Sequence, residues 1–130
     1  MAELTPYATA LGIAVERVEN GAPVLRVEFS DAVQGRPGAL HGGAISGLLE
    51  TAGYALLKAA LAEAGRAAAM KPINLTVQFL ASGKPRPTFA KARIVKLGRR
   101  TANLSVEAWQ DDPVRPIASA VMNVMVTGEG

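Results

Sequence analysis

The sequence contains no cysteine and only one histidine, His41, in 130 residues. No disulfide can form, no thiolate can act as a nucleophile, and a lone imidazole leaves no zinc site of ordinary ligand composition. Asp111 and Asp112 adjoin, but within "QDDPVRP", where a solvated turn is expected rather than a cation site. Aromatic residues make up 5% of the chain, too few for a base-stacking platform, and no helix-turn-helix or RNA-binding signature is present, so nucleic acid is not the expected partner. No apolar run reaches the roughly 18 residues of a membrane span, because Glu50 and Lys58 interrupt the best candidate. The opening "MAELTPYATALGIAVE" has an acid where a secretory signal carries basic residues. Together these absences lead us to expect a cytoplasmic protein that works without metal or organic cofactor and without a membrane.

What the chain does have is apolar bulk. Hydrophobic residues form 49% of it, enough for one compact core, and a single domain over residues 1–130 is expected. The net charge is +3, with much of the basic excess in the second half at Lys84, Arg86, Lys91, Arg93, Lys96, Arg99 and Arg100. Solvated strand faces account for most of these side chains, and an anionic small molecule fits the remainder.

Local signals give an element order. Residues 3–10 read as a short helix, with Thr5 as cap and Pro6 at its first position. A strand over residues 11–18 ends at Asn20-Gly21, a tight hairpin signal, and "VLRVEF" follows with Leu25, Val27 and Phe29 on one face and Arg26 and Glu28 on the other. "SDAVQGRPGAL" is loop. From Gly42 to about Glu63 the residues are helix formers, apolar on nearly every side, so this helix should be buried. "AGRAAAMKP" closes it, and strands are expected at 73–80, 87–97, 101–110 and 116–127. The last has apolar residues on both faces, as a central strand or one at a subunit contact requires. The implied class is α+β, with an antiparallel sheet wrapped around one long helix.

Two stretches, "GALHGGAISGLLETAG" at the helix start and "VKLGRRTANLSVEAW" between late strands, together with the element order, resemble the hotdog-fold acyl-CoA thioesterases of the PaaI-like (phenylacetate-degradation) and 4-hydroxybenzoyl-CoA types. The resemblance implies that Glu50, nine residues after His41, is the catalytic carboxylate. It implies that the Gly42 backbone N–H polarises the thioester carbonyl with His41 beside it, that Gly43 lines the substrate site, and that Arg99 and Arg100 meet the phosphates of coenzyme A; helix spacing puts Tyr54 one turn beyond Glu50, where its hydroxyl either contacts the acid or narrows the acyl pocket, or its ring packs in the core. The protein is then expected as a homodimer, commonly paired into a homotetramer. Two positions depart from the family. The Asn or Gln usual six residues before the histidine is Gly35 here, so either Gln34 serves from a shifted loop or the contact is absent. The Ser or Thr usual four residues after the acid is Tyr54, and a downstream Ser position aligns with Pro72.

The same residues carry the chemistry on physical grounds. A first-turn amide has no intrahelical acceptor and sits at the positive end of the helix dipole, and Gly42 adds no side chain to obstruct it. Glu50 can act as general base on water or attack directly to give a mixed anhydride. Eight residues separate the two, about 12 Å along one helix, too far to share one carbonyl. Two helices antiparallel across a twofold axis would bring Gly42 of one chain opposite Glu50 of the other, so the site is expected to be shared between subunits. The competing reading is a hotdog domain that binds an acyl-CoA without turnover.

Overall fold

The computed structural model describes residues 4–128. Its elements, in chain order, are α1 (Pro6–Leu11), β1 (Ile13–Glu19), β2 (Ala22–Val27), α2 (Gly42–Glu63), β3 (Ala69–Phe79), β4 (Thr88–Leu97), β5 (Thr101–Trp109) and β6 (Ala118–Thr127). The six strands form one antiparallel sheet in the order β1-β2-β4-β5-β6-β3. No helix among the described residues is long and apolar enough to cross a membrane.

Helix α2 forms where its helix-forming residues predict. Its end is a Schellman closure, with Arg66 N–H donating to the Leu61 carbonyl at 2.8 Å, Gly65 N–H to that of Ala62 at 3.0 Å, and Gly65 at φ 69°. Leu48, Leu49 and Leu57 are fully buried between helix and sheet, each contributing about 1.5–3 kcal/mol. Gly53 lets the helix approach closely, because a Cβ there would collide with the Met122 sulphur on β6. The helix packs over β2, β4 and β5 and hardly touches β3.

The Asn20-Gly21 hairpin forms as predicted, with φ of 50° and 81° at the two residues. Other boundaries move. The first helix covers Pro6–Leu11 rather than 3–10, capped by Thr5, whose hydroxyl accepts from Ala8 N–H; Glu3 lies outside the described residues. Phe29 lies beyond the end of β2, half-buried against the core. Strand β3 begins at Ala69, not residue 73, because Ala69, Met70 and Lys71 pair with Thr127, Val126 and Met125 of β6; pairing overrides the helix preference of the alanines. Strand β6 is an inner strand paired on both sides, but only one of its apolar faces is buried, since Val121 and Met125 on the other are 55% and 41% exposed. Asp111 does more than face solvent: both its carboxylate oxygens accept from Arg86, at 2.8 and 2.7 Å, tying two loops together.

The two sheet edges differ. Strand β1 has a bulge between Val15 and Arg17 and carries Glu16, Arg17 and Glu19, features that discourage further pairing. Strand β3 is also bulged, between Pro72 and Asn74, but it is eleven residues long with Lys71 as its one charge, and Ile73 and Phe79 are 47% and 55% exposed. Its inner face is left largely unroofed by α2.

Candidate active site

The loop before α2 is a small closed structure. Arg36-Pro37-Gly38-Ala39 makes a type II turn, with Ala39 N–H donating to the Arg36 carbonyl at 2.9 Å and Gly38 at φ 78°. Gln34 Oε1 accepts from Gly38 N–H at 3.0 Å, so this side chain braces its own loop. His41 N–H donates to the Val33 carbonyl at 2.7 Å, and Leu40 N–H to that of Gly83 at 2.9 Å, fixing the entry to the helix.

His41 is the helix N-cap. Its Nδ1 accepts from Gly43 N–H at 2.8 Å, and its carbonyl accepts from Ala44 and Ile45 N–H at 3.0 and 3.1 Å. The neutral imidazole therefore carries its proton on Nε2, an assignment made from the hydrogen bond. The Gly43 amide is thereby engaged. The Gly42 N–H has no acceptor among the described residues, and as a first-turn amide it points out of the helix start. Gly42 lines a cavity of about 490 Å³ together with Gly35, Leu40, His41, Ile45 and Phe79. Gln34 is not among its walls. Position 35 is closed against the cap, since a Cβ there would lie 3.1 Å from His41 Cα.

Glu50 lies on a different cavity, of about 440 Å³. Glu50, Tyr54 and Lys58 reach it from one face of α2, while Tyr7 of α1 and Met70 and Pro72 of β3 complete it. Glu50 is half-buried, and among the described residues it has no hydrogen bond or ion pair. The Tyr54 hydroxyl is buried without a partner. Burial, and secondarily the Glu50 charge, raise its pKa above the ordinary phenol value of 10.0, so it remains a neutral donor at physiological pH. Tyr7 reaches the cavity because it lies over Gly47, where a Cβ would come within 2.8 Å of its hydroxyl.

Arg99 and Arg100 stand apart, on a cleft of about 600 Å³ with Thr101, Met125 and Thr127. Their carbonyls accept from Arg66 and from Val126 N–H, which fixes the turn, while both side chains are exposed. The chain thus brings His41 and Gly42 to one cavity and Glu50 and Tyr54 to another, with the arginines at neither, and Gly43, its amide turned onto His41, lines none of these cavities. The sequence reading passed over Tyr7, Lys58, Met70 and Phe79 as wall residues. Lys58 could have been found from its place two turns beyond Glu50, but Tyr7, Met70 and Phe79 arrive through tertiary packing and carry no local signal.

A sequence profile of the thioesterase superfamily matches residues 37–117. Among curated proteins no sequence match was found. Among solved structures, a phenylacetic acid degradation-related protein from Ralstonia eutropha JMP134 is 25% identical, superposes with a TM-score of 0.81, and aligns over 95% of this chain and 92% of its own. A Pseudomonas aeruginosa protein is 26% identical, with a TM-score of 0.79 over 92% of this chain and 88% of its own. A thioesterase from Haemophilus influenzae is 17% identical, with a TM-score of 0.85 over 94% of this chain and 82% of its own. The architecture is the hotdog fold.

Proposed function

The chain belongs to the thioesterase superfamily and is a thioester hydrolase, and from that premise we propose that it cleaves acyl-CoA thioesters at a site completed only in a homodimer. One observation carries the reading: the Gly42 amide and the Glu50 carboxylate, each without a protein partner among the described residues, line separate cavities of the protomer. An unpaired, half-buried carboxylate is costly to keep unless it is used. Pairing through the β3 edge supplies the second copy, since that edge is long, nearly uncharged and unroofed by its own helix. A partner helix crossing there sets Gly42 of one chain against Glu50 of the other.

In the proposed reaction the Gly42 N–H donates a hydrogen bond to the carbonyl oxygen and stabilises the negative charge that develops there. Glu50 takes a proton from water as the water oxygen bonds to the carbonyl carbon. The C–S bond then breaks, the proton passes to the departing thiolate, and free acid and coenzyme A leave. Direct attack by the Glu50 carboxylate reaches the same products through a mixed anhydride that water opens. His41 holds the loop and the helix start, and Arg99 and Arg100 offer guanidinium groups to the phosphates.

Thiol release from acyl-CoAs tests the reading. Glu50→Gln should lower kcat by about a thousandfold or more. Gly42→Pro is the matching probe, because proline is tolerated at the first helical position yet removes the N–H. The extended His41 (φ −68°, ψ 135°) suits a following proline. It should cost about a hundred- to a thousandfold. Mixed one to one with subunit exchange, the two inactive variants should recover about a quarter of wild-type activity through hybrid dimers. Wild-type turnover in Glu50→Gln, or no recovery after proven exchange, would overturn the site.

A further inference from the structure

The cavity at Glu50 is furnished unevenly. The Thr5 hydroxyl accepts from Ala8 N–H, the Thr51 hydroxyl donates to the Gly47 carbonyl at 2.6 Å, and the Tyr7 hydroxyl of the opposite wall lies over Gly47. Two donors remain beyond Glu50 on the same wall: the buried Tyr54 hydroxyl and the Lys58 ammonium, the latter with no hydrogen bond or ion pair among the described residues. Lys58 does not pair with Glu50 although both line one cavity. On an α-helix Tyr54 lies about 6 Å and Lys58 about 12 Å beyond Glu50, in a row leading away from the reacting carbon. A plain alkyl chain laid along this row would leave the phenol buried with no acceptor. A group that only accepts, and carries negative charge, would satisfy both donors at once; a carboxylate does this.

From this arrangement, and resting on the acyl-CoA reading above, we infer that the preferred substrates are half-thioesters of dicarboxylic acids, whose far carboxylate meets Tyr54 and Lys58 while the thioester carbonyl sits at Glu50. Allowing for the contacts at either end of the 12 Å row, the acyl chain has about six to eight carbons. Tyr54 serves as donor across the working pH range because its phenol holds its proton more tightly than usual.

The test compares kcat/KM for adipoyl-CoA and hexanoyl-CoA, which differ in the far carboxylate, in wild type, Lys58→Met and Lys58→Arg. The wild type should favour adipoyl-CoA at least tenfold. Lys58→Met should reduce that ratio at least tenfold, and Lys58→Arg should retain most of it. A wild-type ratio near or below one, with hexanoyl-CoA hydrolysed, overturns this inference and leaves the acyl-CoA reading standing. Turnover of neither compound overturns this inference, and no thiol release from short, medium or aromatic acyl-CoAs overturns the acyl-CoA reading as well. An unchanged ratio in Lys58→Met, with both thioesters and inhibition by free coenzyme A weakened in parallel, would assign the ammonium to a phosphate of coenzyme A and overturn the inference as well.

Discussion

A hydroxyl buried beside a carboxylate without a partner is a cost to folding, and Tyr54 bears it one turn beyond Glu50. Removing the group should relieve the fold: Tyr54→Phe is expected to be neutral or stabilising by about 1 kcal/mol at pH 7, measured by urea unfolding. The pH dependence has a definite sign. With the folded pKa raised, the unfolded chain ionises first, so the associated stability is intact below 10.0 and is lost as pH rises through the folded value. Wild type should therefore lose more stability than Tyr54→Phe between about pH 9 and pH 12, and equal losses would show that the phenol is not perturbed. At this scale the sequence disclosed which residues fall on one helix face, because a 3.6-residue period places Glu50 and Tyr54 together. It did not disclose that Gln34 turns into its own loop. That depends on Gly38 standing at positive φ and offering its N–H to the carboxamide, a geometry settled by the closed loop as a whole.

Among the elements, α2 was legible to within a residue because helix-forming composition, the glycine-histidine start and the following Gly65 agree. The start of β3 was not, because "AAAM" favours helix locally and becomes strand only through the facing residues of β6. The contact between α2 and the sheet gives a sharp prediction. In an open helix Gly53→Ala would gain about 1 kcal/mol in propensity. Here the added methyl meets the buried Met122 side chain, and overpacking of about 1–3 kcal/mol should outweigh the gain. Thermal unfolding should show a lower Tm, and an unchanged or raised Tm would mean that Met122 swings aside. The outer face of the same sheet carries a second ordering device: Asn103 donates to Asn123, which donates to Asn74 at 2.8 Å, linking β5, β6 and β3 in register.

For the whole molecule the decisive asymmetry is between the two edges of the sheet. Both edge strands carry a bulge, but charged side chains close β1, whereas β3 has a single charge and exposed apolar side chains. If β3 joins two copies, the double substitution Ile73→Lys, Thr76→Lys should turn a sedimenting dimer into a monomer, and thioesterase activity should fall with it. A fully active monomer would contradict the shared site. The sequence anticipated two chains from distance alone, since 12 Å of helix separates donor from acid. It could not indicate which edge joins them, because edge quality depends on where the bulges and side-chain exposures fall in the folded sheet. The separation of the two cavities also bears on how the enzyme behaves over its lifetime. If the site is shared as proposed, a newly synthesised chain is inert until it meets a sister, and below the dissociation constant the total rate rises with the square of the amount made, so that scarcity would silence the enzyme more steeply than any loss of individual molecules.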